Sequence, residues 1–148
     1  MLIRSARPED VNTLVESYTW LFAPPGSQPP MWDPEAAAAR LYAAIEVDGA
    51  EVLVADVDDA TVGFCTVYDD IESVRFGRRA WVEDLAVDPE QRSRGVGKAL
   101  LDAAKDWARE RGASHLELDS AETRPDAHRF YEREQPSWRS LSYGWLLR

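Results

Sequence analysis

The sequence has 148 residues and contains one cysteine, Cys65, and two histidines, His115 and His128. A lone cysteine excludes an intrachain disulfide and any zinc site built from several cysteines. The histidines show no ligand spacing, so no metal is expected. Positive charge is also scarce: 17 Lys and Arg stand against 27 Asp and Glu, a net charge of −10. Sequence-independent nucleic-acid binding needs clustered Lys and Arg, so no nucleic-acid partner is expected. Long apolar runs are missing. Stretches such as Glu51–Val57 are soon broken by charge, and no membrane-spanning helix is expected. The opening Met1-Leu2-Ile3-Arg4 lacks a signal-peptide core, which predicts a cytoplasmic protein. Repeats and low-complexity segments are absent as well.

What is present predicts a folded domain. The hydrophobic fraction is 45%, with six tryptophans, which argues against disorder. A chain of this length buries about 70% of its unfolded surface. One domain over residues 1–148 is expected. The acidity is local: residues 46–90 hold 13 acids and 3 bases, while residues 91–148 hold 9 acids and 11 bases. Two readings of the acidic block stand. It is a solvated surface, or it faces a cationic ligand.

The pattern predicts a strand over residues 2–6. Pro8, Glu9 and Asp10 then open a helix, and Val11, Leu14, Val15, Tyr18, Leu21 and Phe22 follow its spacing. Pro24-Pro25-Gly26 stops it. Asp33-Pro34-Glu35 caps a second, alanine-rich helix reaching about Glu46. Glu51–Val57 and Thr61–Tyr68 read as a hairpin, and residues 75–79 as a loop. Trp81–Val87 has strand character. Residues 98–111 read as a helix with Leu100, Leu101, Ala104, Trp107 and Ala108 on one face. A strand at His115–Asp119, a short helix over Pro125–Arg133 and a last strand over Trp138–Leu147 complete a mixed α/β order. Cys65 reads as a small buried hydrophobe within its strand.

The segment richest in chemistry runs from Trp81 to Leu101. A strand ends at Val87, a short loop follows, and Arg92-Ser93-Arg94-Gly95-Val96-Gly97 leads straight into a helix. Glycines let backbone approach a ligand. The first amides of a helix have no intrahelical partner and favour anions. Arg92, Arg94 and Lys98 add charge, and a diphosphate fits such a site. A Walker A loop is excluded, because Ala99 follows Gly97-Lys98 and Arg92 stands five before Gly97. A Rossmann fingerprint is excluded, because Leu100 stands three after Gly97.

The remaining pattern, Arg-x-x-Gly-x-Gly between strand and helix, resembles the acetyl-CoA motif of the GNAT superfamily of N-acetyltransferases. The phrase Glu83-Asp84-Leu85-Ala86-Val87-Asp88-Pro89-Glu90-Gln91-Arg92 precedes it. Ala127-His128-Arg129-Phe130-Tyr131-Glu132-Arg133 resembles a second family phrase downstream. The resemblance implies a single α/β domain with a central, mixed, mostly antiparallel sheet, flanked by helices and splayed at the acetyl-CoA site. It implies transfer of acetyl from acetyl-CoA to a primary amine of a small molecule, peptide or protein by direct attack in a ternary complex. The amides of Arg94, Gly95, Val96, Gly97, Lys98 and Ala99 would cradle the pyrophosphate, with Arg92 beside them. Leu85, Ala86 and Val87 would pair with the pantetheine arm. An N–H near Leu85 would polarise the thioester carbonyl.

A free alkylamine has a pKa of about 10.4, so the acceptor must lose a proton before it attacks. The resemblance makes Glu83 the base, acting directly or through water, and Tyr131 the acid that protonates the leaving thiolate. On a regular strand Glu83 and Asp84 point to opposite faces, which leaves Asp84 as a substrate contact or a structural ligand. Trp20, Phe22, Met31 and Trp32 flank the proline-rich loop. The resemblance implies that they help line the acceptor pocket, Trp20 and Trp32 foremost; ordinary packing in the core is the alternative. The sequence departs from the family at Arg124, where many members carry Asn, and at Gln135, where many carry Gly. The acidic block would suit a cationic acceptor. Another acyl-CoA as donor and a non-catalytic acyl-CoA-binding module are the alternatives. Dimers are common in the family.

Overall fold

The computed structural model describes residues 1–147. It contains two compact units, Met1–Leu118 and the segment from Asp119 onward. In the first, strands β1 (Leu2–Ser5), β2 (Ala50–Val57), β3 (Ala60–Ser73), β4 (Gly77–Val87) and β5 (His115–Glu117) form one sheet in chain order. The first three pairings are antiparallel and β4–β5 is parallel. This is the mixed, mostly antiparallel sheet expected. Helices α1 (Val11–Ser17), α2 (Thr19–Phe22), α3 (Pro34–Glu46) and α4 (Val96–Glu110) belong to the same unit.

Local chemistry explains most boundaries. The Asp33 side chain accepts from the Glu35 amide at 3.0 Å and Pro34 takes the first helical position, so α3 starts there. Asp58 and Asp59, with φ of 50° and 63°, form the tight turn between β2 and β3. The helix expected from Pro8 to Phe22 is broken into a 3-10 turn at Pro8–Asp10, α1 and α2, with Tyr18 at the junction. The loop expected over residues 75–79 is shorter, because β4 already begins at Gly77.

Two cores cover the two faces of the sheet. Leu53, Ala55, Val62, Cys65, Val67, Ala80 and Val82 pack with Val96, Leu100, Ala104 and Ala108 of α4. Val52, Val54, Phe64 and Ala86 pack with Val11 and Leu14 of α1 and Leu41 and Ala44 of α3. Cys65 is fully buried, as expected. Gly63 sets how close α4 lies to the sheet. A Cβ there would meet Val96 Cγ1 at 2.9 Å, Leu100 Cδ1 at 3.0 Å and the Ala86 carbonyl oxygen at 3.1 Å. Gly63→Ala is expected to cost about 2 kcal/mol through overpacking, read as a lower urea midpoint at unchanged m-value.

The second unit carries α5 (Pro125–Arg133), at the position the sequence predicts. Within it, Arg139 pairs with Glu132 at 3.0 Å and the Ser142 hydroxyl donates to Asp119 at 3.1 Å. The strand expected over residues 138–147 is not formed. Trp138, Leu141, Tyr143, Trp145, Leu146 and Leu147 are exposed there. The apolar spacing of that segment supplies side chains for a strand, but its backbone pairs with no strand among the described residues. Among the described residues, no helix is long and apolar enough to cross a membrane.

Candidate active site

The site is built around a break in β4. Thr66 pairs with Asp84 while Val67 pairs with Val82, so Glu83 is an extra residue with no partner of its own. This is a β-bulge, and it reverses the alternation of the strand. Before it, Ala80 and Val82 face the α4 core. After it, Leu85 and Val87 take that side and Ala86 enters the other core. The expectation that Glu83 and Asp84 point to opposite faces is therefore wrong. The Glu83 carboxylate accepts from the Trp81 indole N–H at 2.8 Å. Each carboxylate also acts electrostatically on both Tyr18 and Tyr68. The two acids address one cluster.

They differ in environment. Glu83 is exposed. Asp84 is largely buried: its amide donates to Thr66 Oγ1 at 3.0 Å and its Oδ2 accepts from the Tyr18 hydroxyl at 2.7 Å. Burial pushes the Asp84 carboxyl above the usual range, the Tyr18 hydrogen bond draws it back, and the Glu83 charge raises it again. The charged neighbour acting on Asp84 is thus another acid. Burial, then Asp84, holds the Tyr18 phenol far above its ordinary value. Burial and Asp84 also raise the Tyr68 phenol and push the Cys65 thiol up to about 12. All three stay protonated at neutral pH.

Beside the bulge the sheet opens. Pairing of β4 with β5 ends at Trp81 and Glu117, while β4 runs on to Val87. Among the described residues, 82–87 therefore have no strand partner on the β5 side. Leu85, Ala86 and Val87 lie on that open stretch. Asp88 then ends the strand: its carboxylate accepts from the Glu90 amide at 2.9 Å and caps a 3-10 turn, Pro89–Gln91. Ser93 and Gly95 both adopt the left-handed region, with φ of 62° and 84°. Gly95 is the N-cap of α4, and open space surrounds the place a Cβ would occupy. The amides of Gly95, Val96 and Gly97 lie in the first turn, where no carbonyl lies one turn back within the helix.

Two details of the expected anion site change. The Ala99 amide donates to the Gly95 carbonyl at 3.0 Å, so it closes the helix instead of facing a ligand. The Lys98 ammonium donates to Asp102 at 2.8 Å, one turn along α4. The exposed Arg92 and Arg94 carry the basic charge of the turn, with Arg94 also donating to Gln91 Oε1 at 3.2 Å.

The aromatic residues around the proline-rich loop divide. Trp32 packs on Tyr18 at 5.3 Å and edge-on to Phe22 at 4.7 Å, beside the Asp84 partner. Trp20 stacks on Phe64 at 6.4 Å within the α1–α3 core, and Met31 is exposed. Sequence reading missed Tyr18 as a site residue. Its helical spacing marked it as core, and its partner lies 66 residues away. Tyr131 lies on α5 in the second unit, its ring 5.1 Å from that of Phe130.

A mostly antiparallel sheet that opens beside a bulged fourth strand and feeds an amide-lined helix start is an acetyltransferase architecture. The sequence makes the assignment specific: the profile of the Acetyltransferase (GNAT) family matches residues 11–135, and the chain belongs to that family. Two uncharacterized N-acetyltransferases of Bacillus subtilis are similar to it. YhdJ is 48% identical over 59 residues, covering 40% of this chain and 42% of that protein. YhfO is 35% identical over 101 residues, covering 68% of each. The aminoglycoside N(6')-acetyltransferase type 1 of Stenotrophomonas maltophilia is 33% identical over 86 residues, covering 56% of each. The matched segments thus span about half the length of several curated relatives. Among solved structures, the aminoglycoside N-acetyltransferase AAC(6')-Iy in complex with CoA has a TM-score of 0.85 at 17% identity. The match covers 99% of this chain and 94% of that one. That likeness concerns the fold.

Proposed function

We propose that the chain is a cytoplasmic, acetyl-CoA-dependent N-acetyltransferase, one domain over residues 1–148, acting on a primary amine of a small molecule, peptide or protein. One observation carries this reading: the β4 bulge sets Glu83 and Asp84 toward one cluster where the strand loses its β5 neighbour. The residues present fit the donor. Gly95 leaves open space at the start of α4, the first-turn amides suit a diphosphate, and Arg92 and Arg94 are exposed beside them. The free edge of Leu85, Ala86 and Val87 suits an amide-containing arm. When bound, acetyl-CoA supplies the thioester carbonyl.

The remaining chemistry falls to the chain. Glu83, solvent-facing and oriented by the Trp81 indole, takes the proton from the acceptor's ammonium, directly or through water. An N–H near Leu85 donates to the carbonyl oxygen as charge builds there. Asp84 contacts the acceptor's ammonium before that proton leaves. Tyr131 gives its phenolic proton to the departing sulfur. The name of the Stenotrophomonas relative supports an acceptor bearing several amines, and the acidic block of residues 46–90 is consistent with one.

The test is thiol release from acetyl-CoA with a panel of amines at low and high salt. Turnover is expected, with polycationic amines preferred at low salt and the preference shrinking as salt screens it. Thermal stabilisation by acetyl-CoA without turnover on any amine would make the chain a binding module. Equal use of neutral and polycationic amines would return the acidic block to solvated surface. Tyr131→Phe is expected to lower kcat at least about tenfold, with acetyl-CoA affinity measured by calorimetry kept. An unchanged kcat would remove Tyr131 from the reaction.

A further inference from the structure

Asp84 is held at two points. Its amide is tied to Thr66 of β3 and its Oδ2 to the Tyr18 hydroxyl from the α1–α2 junction. Tyr18 is itself fixed, its ring 4.9 Å from Phe64, 5.3 Å from Trp32 and 6.0 Å from Phe22. Such a phenol stays a donor at every working pH, since burial and Asp84 oppose its ionisation. Oδ1 of Asp84 accepts no hydrogen bond among the described residues. The titratable groups that face this carboxylate are Tyr18 from the α1–α2 junction, Tyr68 from β3, and Glu83 from β4. Glu83 is the one carboxylate among them.

We propose that Tyr18 is a positioning residue for acetyl transfer: it fixes the Asp84 carboxylate so that Oδ1 holds the acceptor's ammonium beside Glu83. This rests on the acetyltransferase reading above. The proton count closes. The acceptor nitrogen loses two protons overall, one to Glu83 and one that restores the proton Tyr131 gives to sulfur, while the N–C bond forms and the C–S bond breaks. Asp84 and Tyr18 keep their own protonation states throughout. Tyr18 acts only through Asp84, by orientation and by opposing the effect of burial on the carboxyl.

Tyr18→Phe keeps the ring packing and removes the donor. With whichever amine the panel identifies, acceptor KM is expected to rise about tenfold, and kcat is expected to fall by less. A lost hydrogen bond to a charged group is worth about this much. Without the donor, Asp84 protonates at higher pH. The acidic fall of kcat/KM is therefore expected to move upward by at least about half a pH unit. The double variant Tyr18→Phe/Asp84→Asn is expected to be no worse than Asp84→Asn alone, since the two side chains act as one unit. An unmoved acidic limb, additive losses in the double variant, or equal losses in kcat and KM would each overturn the positioning role. Absence of any turnover by the unaltered chain overturns the acetyltransferase reading as well. Turnover with an unaffected Tyr18→Phe variant overturns the positioning role alone.

Discussion

Glu83→Gln is expected to lower kcat/KM for the amine by about 100-fold, the lower end of what a positioned proton acceptor supplies. The substitution is nearly isosteric. The glutamine carbonyl can still accept from the Trp81 indole, which holds Glu83 Oε2 at 2.8 Å. Glu83 is exposed and lies at the bulge, so its side chain is not part of either core. Melting temperature is therefore expected to stay within about 2 °C, since exposed substitutions usually change stability by under 0.5 kcal/mol. Alkaline pH supplies neutral amine from solution and should recover part of the loss. A variant as active as the parent at pH 7 would remove Glu83 from proton transfer. The bulge would then have to serve through Asp84 alone. Steady-state kinetics across pH, with acetyl-CoA saturating, reads these outcomes directly.

Gly95→Val is expected to weaken acetyl-CoA binding by about 100-fold, whichever amine is present. A φ of 84° is open to glycine, but for a β-branched residue it is a steric outlier. There is room for the side chain, so the cost comes from the backbone alone. The turn must change course, and the amides of Val96 and Gly97 turn away with it. Losing one or two hydrogen bonds to a charged phosphate accounts for a loss of about 3 kcal/mol. Acetyl-CoA would then stabilise the variant by about 2.7 kcal/mol less than the parent at one concentration that saturates both, visible as a smaller thermal shift. Gly95→Ala, with a smaller penalty at the same φ, should lie between. If both variants bound acetyl-CoA like the parent, the α4 start would not be the diphosphate site.

Much of this site is legible in the sequence alone. Asp33, Pro34 and Glu35 announce α3, and Asp88-Pro89 announces the end of β4, because caps and prolines act within a few residues. The turn into α4 is legible for the same reason. Contacts between distant segments are not. The extra residue in β4 appears only when β3 is laid beside it, since a bulge is a property of a pair of strands. Read alone, Glu83-Asp84 alternates, and that places the two acids on opposite faces. Tyr18 fits a helical stripe and gives no sign of a partner on β4. Gly63 looks like a weak point in a strand until α4 lies across it. Residues 138–147 err the other way: their spacing suits a strand, yet a strand needs a neighbour.

The Glu83 bulge also bears on how readily this chain can change its chemistry. Every other residue of β4 from Ala80 to Val87 is counted by the sheet, inward to one core or the other, or paired across to β3. Position 83 is counted by neither. Its side chain can be exchanged without opening a void or shifting the register of its neighbours. Folding and reactivity are therefore separately adjustable at this one point. A library restricted to residue 83 should keep nearly all its members folded while their kcat spans several orders of magnitude.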